Sequence, residues 1–152
     1  MVNLQFSPEI KANLNSEILI NAVEGVLKHE FQSIDVDLSI VIDTDQAIQQ
    51  LNLAYRGIDA PTDVLSFEAD EFDPDEQTKY IGDIIISYDR ASAQALSASH
   101  PLINEIQLLI VHGVLHLLGY DHVDPIEKEN MWRVQAEILN QIGCEINQLP
   151  EN

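Results

Sequence analysis

The sequence predicts an α+β fold: a single mixed β-sheet of about four strands packed with about five helices, with a central buried helix carrying a histidine motif. Three observations lead there. Residues 2–6 and 36–42 alternate apolar and polar side chains with period two, as half-buried strands do. Residues 81–87, Ile-Gly-Asp-Ile-Ile-Ile-Ser, form a β-branched run that suits a central strand covered on both faces. Residues 102–118 are apolar on nearly every side, as a helix inside a core must be. Neither an internal repeat nor a linker divides the chain, so one domain over residues 1–152 is expected.

Residues 2–6 make the first strand. Asn15 or Ser16 caps a first helix whose apolar stripe is Ile18, Leu19, Ala22, Val23, Val26 and Leu27. His29 lies near its end, where a partly positive ring suits the helix dipole, and reads as surface structure. In the second strand Val36, Leu38, Ile40 and Ile42 share one face. Thr44 or Asp45 caps a second helix carrying Ala47, Ile48, Leu51 and Tyr55, closed by Arg56-Gly57. Pro61, Thr62 and Asp63 make a turn into a strand at 64–67. Residues 69–80, crowded with Asp70, Glu71, Asp73, Asp75 and Glu76 around Pro74, read as a solvated loop. After the strand at 81–87, Ser87 caps a helix from Tyr88 to about Ser97, with Ala91, Ala95 and Leu96 inward.

Pro101 opens the central helix and places His100 in its cap region, apart from the histidine motif. Asp124-Pro125-Ile126-Glu127 resembles a capping box for the last helix, which carries Met131, Val134, Ala136, Ile138, Leu139 and Ile142 and stops at Gly143. Trp132 reads as packing material.

The chemistry concentrates in Val111-His112-Gly113-Val114-Leu115-His116-Leu117-Leu118-Gly119-Tyr120-Asp121-His122. His112 and His116 are four apart, so a helix projects both from one face. Gly119 suits a helix exit with positive φ, which lets the chain turn back and bring His122 towards the pair. Three converging imidazoles suit a transition metal such as Zn2+, one per chain, with a coordination position left open for water. The spacing is shared with a class of metallopeptidases, but those carry Glu at the second position as general base. Here Gly113 stands there and can move no proton, so the ligand set reads as intact and the peptidase chemistry as absent.

Seven basic residues against twenty-six acidic ones give a net charge of −19. That opposes unaided binding to a polyanion, so any nucleic-acid role requires a bound cation, a local basic spot or a protein partner. One cysteine, Cys144, excludes an internal disulfide and fits a reducing, cytoplasmic compartment. The N-terminal residues lack the basic and apolar regions of a signal peptide, and no segment reads as a membrane span.

Three blocks in one order resemble the YbeY-type endoribonucleases, also called rRNA maturation factors. They are Leu51-Asn52, Tyr55-Arg56, Asp59 and Pro61-Thr62-Asp63-Val64-Leu65-Ser66-Phe67; Gly82-Asp83-Ile84-Ile85-Ile86-Ser87; and the histidine motif. Glu68 departs from the pattern, where a proline often follows the Ser-Phe pair. The resemblance implies a zinc-dependent hydrolase that cuts single-stranded RNA. It also implies a role in 16S rRNA maturation and ribosome quality control, alongside the small ribosomal subunit and a small-subunit ribosomal protein. By the same resemblance His112, His116 and His122 are the metal ligands and Arg56 is the functionally important arginine.

On this reading an open metal position carries the nucleophilic water, and Arg56 stabilises charge on the phosphate. Asp63, Asp83 and Asp121 are candidates to orient ligand imidazoles, and each equally suits a local role in a turn or cap. No general base stands out. Two other readings fit the same residues: a metallohydrolase of another substrate class, and a ribosome-assembly factor whose metal is structural.

Overall fold

The computed structural model describes residues 1–30 and 35–146. The elements run β1 (Val2–Phe6), α1 (Ser16–His29), β2 (Asp35–Asp43), α2 (Asp45–Arg56), β3 (Val64–Asp73), β4 (Thr78–Ser87), α3 (Tyr88–Ala98), α4 (Leu102–Leu117) and α5 (Pro125–Gln141). The four strands form one mixed sheet in the order β1-β2-β4-β3. β1 pairs parallel to β2 and β2 parallel to β4, while β3 returns antiparallel on β4. The α+β class and the element order are those expected.

Alternation along the strands divides the apolar side chains between two faces. Leu38, Ile40, Ile42, Ile84 and Ile86 join the main core with side chains of α1, α4 and α5. Ile85 points the other way and, with Leu65 on β3, packs under Ile48 of α2. β4 is therefore covered on both sides over residues 84–86, which is why that stretch has no polar alternation. Four of the five helices start where a side chain takes up free backbone N–H groups, and α4 starts behind Pro101 without such a cap. Asn15 accepts from Glu17 and Ile18, Thr44 from Ala47, Ser87 from Arg90 and Asp124 from Glu127.

α4 runs through the middle of the molecule, against α1, α3, α5 and the sheet. Ile106, Ile110 and Val114 are wholly buried, each contributing about 1.5–3 kcal/mol by leaving water. Gly113 lets the helix lie directly on β4. A Cβ there would stand 2.9 and 3.0 Å from the Cγ2 and Cδ1 of Ile84, closer than packed carbons tolerate. At Gly82 a φ of +142° and a Phe67 carbonyl 2.2 Å from any added Cβ likewise exclude a side chain.

Three expectations are corrected. The acidic stretch 69–80 is not a loop: β3 continues to Asp73 and β4 starts at Thr78, with Glu71 facing Tyr80 and Phe72 facing Lys79. A register shift between Glu68 and Glu71 breaks the alternation, and both faces of this arm meet solvent, so no apolar pattern announces it. Leu96 is 83% exposed, on the outer side of α3, because α3 buries only the narrow Ala91–Ala95 line. Ala136 is also exposed, since α5 turns Met131, Val134, Gln135, Ile138 and Leu139 inward.

Gly113→Ala is expected to lower the unfolding free energy by about 1–3 kcal/mol through overpacking against Ile84. Urea titration measures it, and Ile84→Ala in the same chain should return part of the loss. Two purely additive losses would disprove the contact.

Candidate metal centre

His112 and His116 leave α4 one turn apart, and the helix ends at Leu117. Gly119, at φ +103°, then reverses the chain, and the Tyr120 N–H returns to the Leu115 carbonyl at 3.0 Å. The reversal brings His122 back over the helix end. The three ring centroids lie 4.6, 5.1 and 5.5 Å apart, and one nitrogen from each ring falls within 4.8 Å of the other two.

The ring orientations are set from behind. The carbonyl oxygen of Tyr120, which can only accept, lies 2.8 Å from His116 Nδ1, so that nitrogen carries the proton. Gln135 Oε1 of α5 accepts from His112 Nδ1 at 2.6 Å. Both Nε2 atoms of the neutral rings then present lone pairs, and they face each other at 3.0 Å. Two lone pairs at that distance repel unless a proton or a cation lies between them.

A proton is disfavoured. Burial, reinforced by the nearby His116 and His122 rings, pushes His112 down to about 4, and burial likewise lowers His116. The donor set therefore fits a divalent transition cation. Among the described residues the group holds three ligand side chains and no fourth.

The trio opens onto a cleft also lined by Arg56, Thr62, Asp63, Val64, Ser66, Glu68 and Asp121. Arg56 closes α2, and its Nη2 donates to the Ser66 carbonyl at 3.0 Å. It makes no ion pair among the described residues, and its charge is felt at His116, whose protonation it disfavours. Asp63 is buried in the wall, and that burial raises its carboxyl above the usual range. Gln94 Nε2 donates to both Asp63, at 3.4 Å, and Glu105, at 3.1 Å.

The comparisons meet this geometry. The family model for Endoribonuclease YbeY matches residues 2–143. The chain belongs to the YbeY family. A relative from Roseiflexus sp. (strain RS-1), named Endoribonuclease YbeY, is 43% identical over 148 residues, 93% of this chain and 92% of that one. One of the same name from Acholeplasma laidlawii (strain PG-8A) is 46% identical over 125 residues, 82% and 85% of the two chains. The solution structure of TM1509 from Thermotoga maritima superposes with a TM-score of 0.63 at 25% identity, covering 93% of this chain and 89% of that one. The resemblance drawn from three short blocks thus extends over nearly the whole chain.

Of the residues singled out beforehand, the fold brings His112, His116, His122, Arg56, Asp63 and Asp121 to one cleft. Asp121 accepts from the backbone N–H of His122 at 2.8 Å and so shapes the exit loop. Asp83 is not among the residues lining the cleft; it accepts from the Tyr80 hydroxyl along the same strand. His100 is buried away from the trio, against Glu105 at 2.7 Å. Cys144 is buried too, and its thiol is pushed up to about 11, leaving it an unreactive core side chain.

Sequence reasoning missed the parts that aim the rings. Trp132 stands edge-on to His112 and His122, with centroids 5.7 and 5.5 Å away, and walls the centre. Gln135 had a signal: a polar residue on the inward stripe of α5. Its Nε2 is buried with no hydrogen-bond partner among the described residues, a cost of about 1–3 kcal/mol. That cost points to selection for the contact with His112 rather than for stability.

A pH prediction follows for metal-free protein. Above pH 6.5 His112 is neutral folded or unfolded and contributes nothing. Below it the unfolded chain takes the proton while the folded ring resists down to about 4, so stability falls as pH falls across that window, by about 3 kcal/mol. In chelator, the stability of the parent minus that of His112→Gln should shrink between pH 7 and 4. A difference constant with pH would refute the buried neutral ring.

Proposed function

We propose that this chain is a metal-dependent endoribonuclease that cuts single-stranded RNA, acting as one domain across residues 1–152. The observation that carries it is the pair of Nε2 lone pairs 3.0 Å apart, joined by a third imidazole, in a cleft shared with an arginine that has no carboxylate partner among the described residues. The name borne by the relatives, Endoribonuclease YbeY, supplies the substrate class. The earlier resemblance extends the reading to 16S rRNA maturation and ribosome quality control in the cytoplasm, with the small ribosomal subunit and one of its proteins as partners. Among the described residues no helix is long and apolar enough to cross a membrane.

His112, His116 and His122 would hold the cation, for which zinc suits an all-imidazole set. When bound, such an ion supplies Lewis acidity and a water of lowered pKa. Gln135 and the Tyr120 carbonyl keep the Nε2 atoms directed at it, by holding a proton on each Nδ1. Arg56, steadied by the Ser66 carbonyl, offers its remaining N–H donors to a phosphate and to the charge that builds there in the transition state. Peptidase chemistry is disfavoured for a steric reason. The place of its general base is held by Gly113, where even a methyl group meets Ile84. A merely structural ion is disfavoured by the open cleft and by the missing fourth protein ligand among the described residues.

His116→Ala should abolish both metal uptake and RNA cutting. Arg56→Ala should lower cutting by about a hundredfold or more with bound metal unchanged. Gln135→Leu should weaken metal affinity by about 10–100-fold. Metal analysis of purified protein beside cleavage of a single-stranded RNA, with and without chelator, checks all three. Cutting that persists after complete metal removal would overturn the reading.

A further inference from the structure

Tyr55 and Arg56 are neighbours at the end of α2, and both meet the ring of Phe67. Tyr55 packs on Phe67 edge-to-face, with centroids 5.5 Å apart and planes at 62°. The Arg56 guanidinium carbon lies 5.7 Å from the same centroid. Phe67 is half-buried on β3 and rests on the small core beneath α2. It is anchored from below and braces both neighbours. Tyr55 nevertheless stays 71% exposed, so most of a large apolar surface remains in water, next in the chain to Arg56, which lines the cleft. Burial does not account for an aromatic side chain in that place.

The charge balance of the cleft sharpens the question. Among the described residues its walls carry Asp63, Glu68 and Asp121 against the lone cation Arg56, within a chain of net charge −19. Counterion release from such a surface gives a single-stranded polyanion little affinity. Aromatic stacking is the other general source of single-strand affinity, and it is indifferent to the sign of the surrounding charge. We propose that Tyr55, braced by Phe67, is a nucleobase-stacking subsite for the unpaired base adjoining the phosphate at Arg56 and the histidine trio. The proposal rests on the RNA reading and adds to it how the strand is gripped.

Two properties follow from the chemistry. Every base offers a π-face, so the subsite tolerates any sequence. In a duplex those faces are stacked on neighbouring bases, so the subsite selects unpaired nucleotides.

The test is steady-state cleavage of single-stranded RNA by the metal-loaded chain. It compares the parent with Tyr55→Leu, which keeps apolar bulk without a π-face, and Tyr55→Trp, which keeps the face. Tyr55→Leu should raise KM about tenfold, and Tyr55→Trp should return it to the parent value. A series of substrates with one abasic nucleotide should show the same tenfold loss for the parent at one position beside the cut. Tyr55→Leu should lose nothing further there. A Tyr55→Leu KM within about twofold of the parent, in a parent that cuts RNA, would overturn the subsite alone. A parent that cuts no RNA would overturn the functional reading and the subsite together.

Discussion

The site depends on two hydrogen bonds made on the side of the rings away from the cleft. The Tyr120 carbonyl and the Gln135 amide oxygen each take an Nδ1 proton, and this turns two unprotonated Nε2 atoms towards one point. Rings left free would rotate to find water or to donate to one another. Held as they are, they store electrostatic repulsion that a cation relieves. The fold supplies both acceptors from structure that exists for other reasons. Tyr120 sits in the helix-stop loop, where its own N–H returns to Leu115, and Gln135 lies in the inward stripe of α5. Ligand geometry is thus coupled to whether α5 is docked on α4.

That coupling works because α4 has little freedom to move. Gly113 brings its backbone against Ile84, and Ser66 Oγ on β3 reaches the Gly113 carbonyl at 3.5 Å. The same contact places the helix face carrying the histidines beside β3, whose Ser66 carbonyl holds Arg56. The trio and the arginine belong to elements far apart in sequence, yet both are positioned from β3. One glycine therefore sets the depth of the helix and closes the position that a peptidase would use for its base.

Much of this was legible in the sequence. The 3.6-residue stripes, the four side-chain caps and the i, i+4 histidines with a following glycine are local signals, and local signals survive without a partner. The hairpin arm at 69–80 was not legible, because its pairing rests on cross-strand backbone bonds and its side chains meet water on both faces. Leu96 misled for the opposite reason: an apolar residue at the right period says nothing of how wide the buried stripe is. Gln135 and Tyr120 act through contacts fixed by tertiary docking and by a main-chain carbonyl, which has no side-chain identity to read. The inward polar residue on α5 was the one visible trace.

The acidity of the chain looked like the strongest objection to a nucleic-acid substrate. In the proposed reading it becomes a condition on binding. Without a cation, the cleft walls set three carboxylates against Arg56, and a phosphate approaching them is repelled. A divalent ion at the trio would add two positive charges where the ring nitrogens converge, and so would offset the negative balance of the walls that the phosphate meets. On that reading the electrostatic part of strand binding would depend on the ion, while the stacking part at Tyr55 would not. Away from the trio the surface stays acidic, which discourages duplex and bulk RNA from settling on the protein non-specifically. If both proposals hold, such a molecule would recognise a single scissile phosphate with one unpaired base beside it, and would leave the choice of which strand to cut to whatever presents that strand.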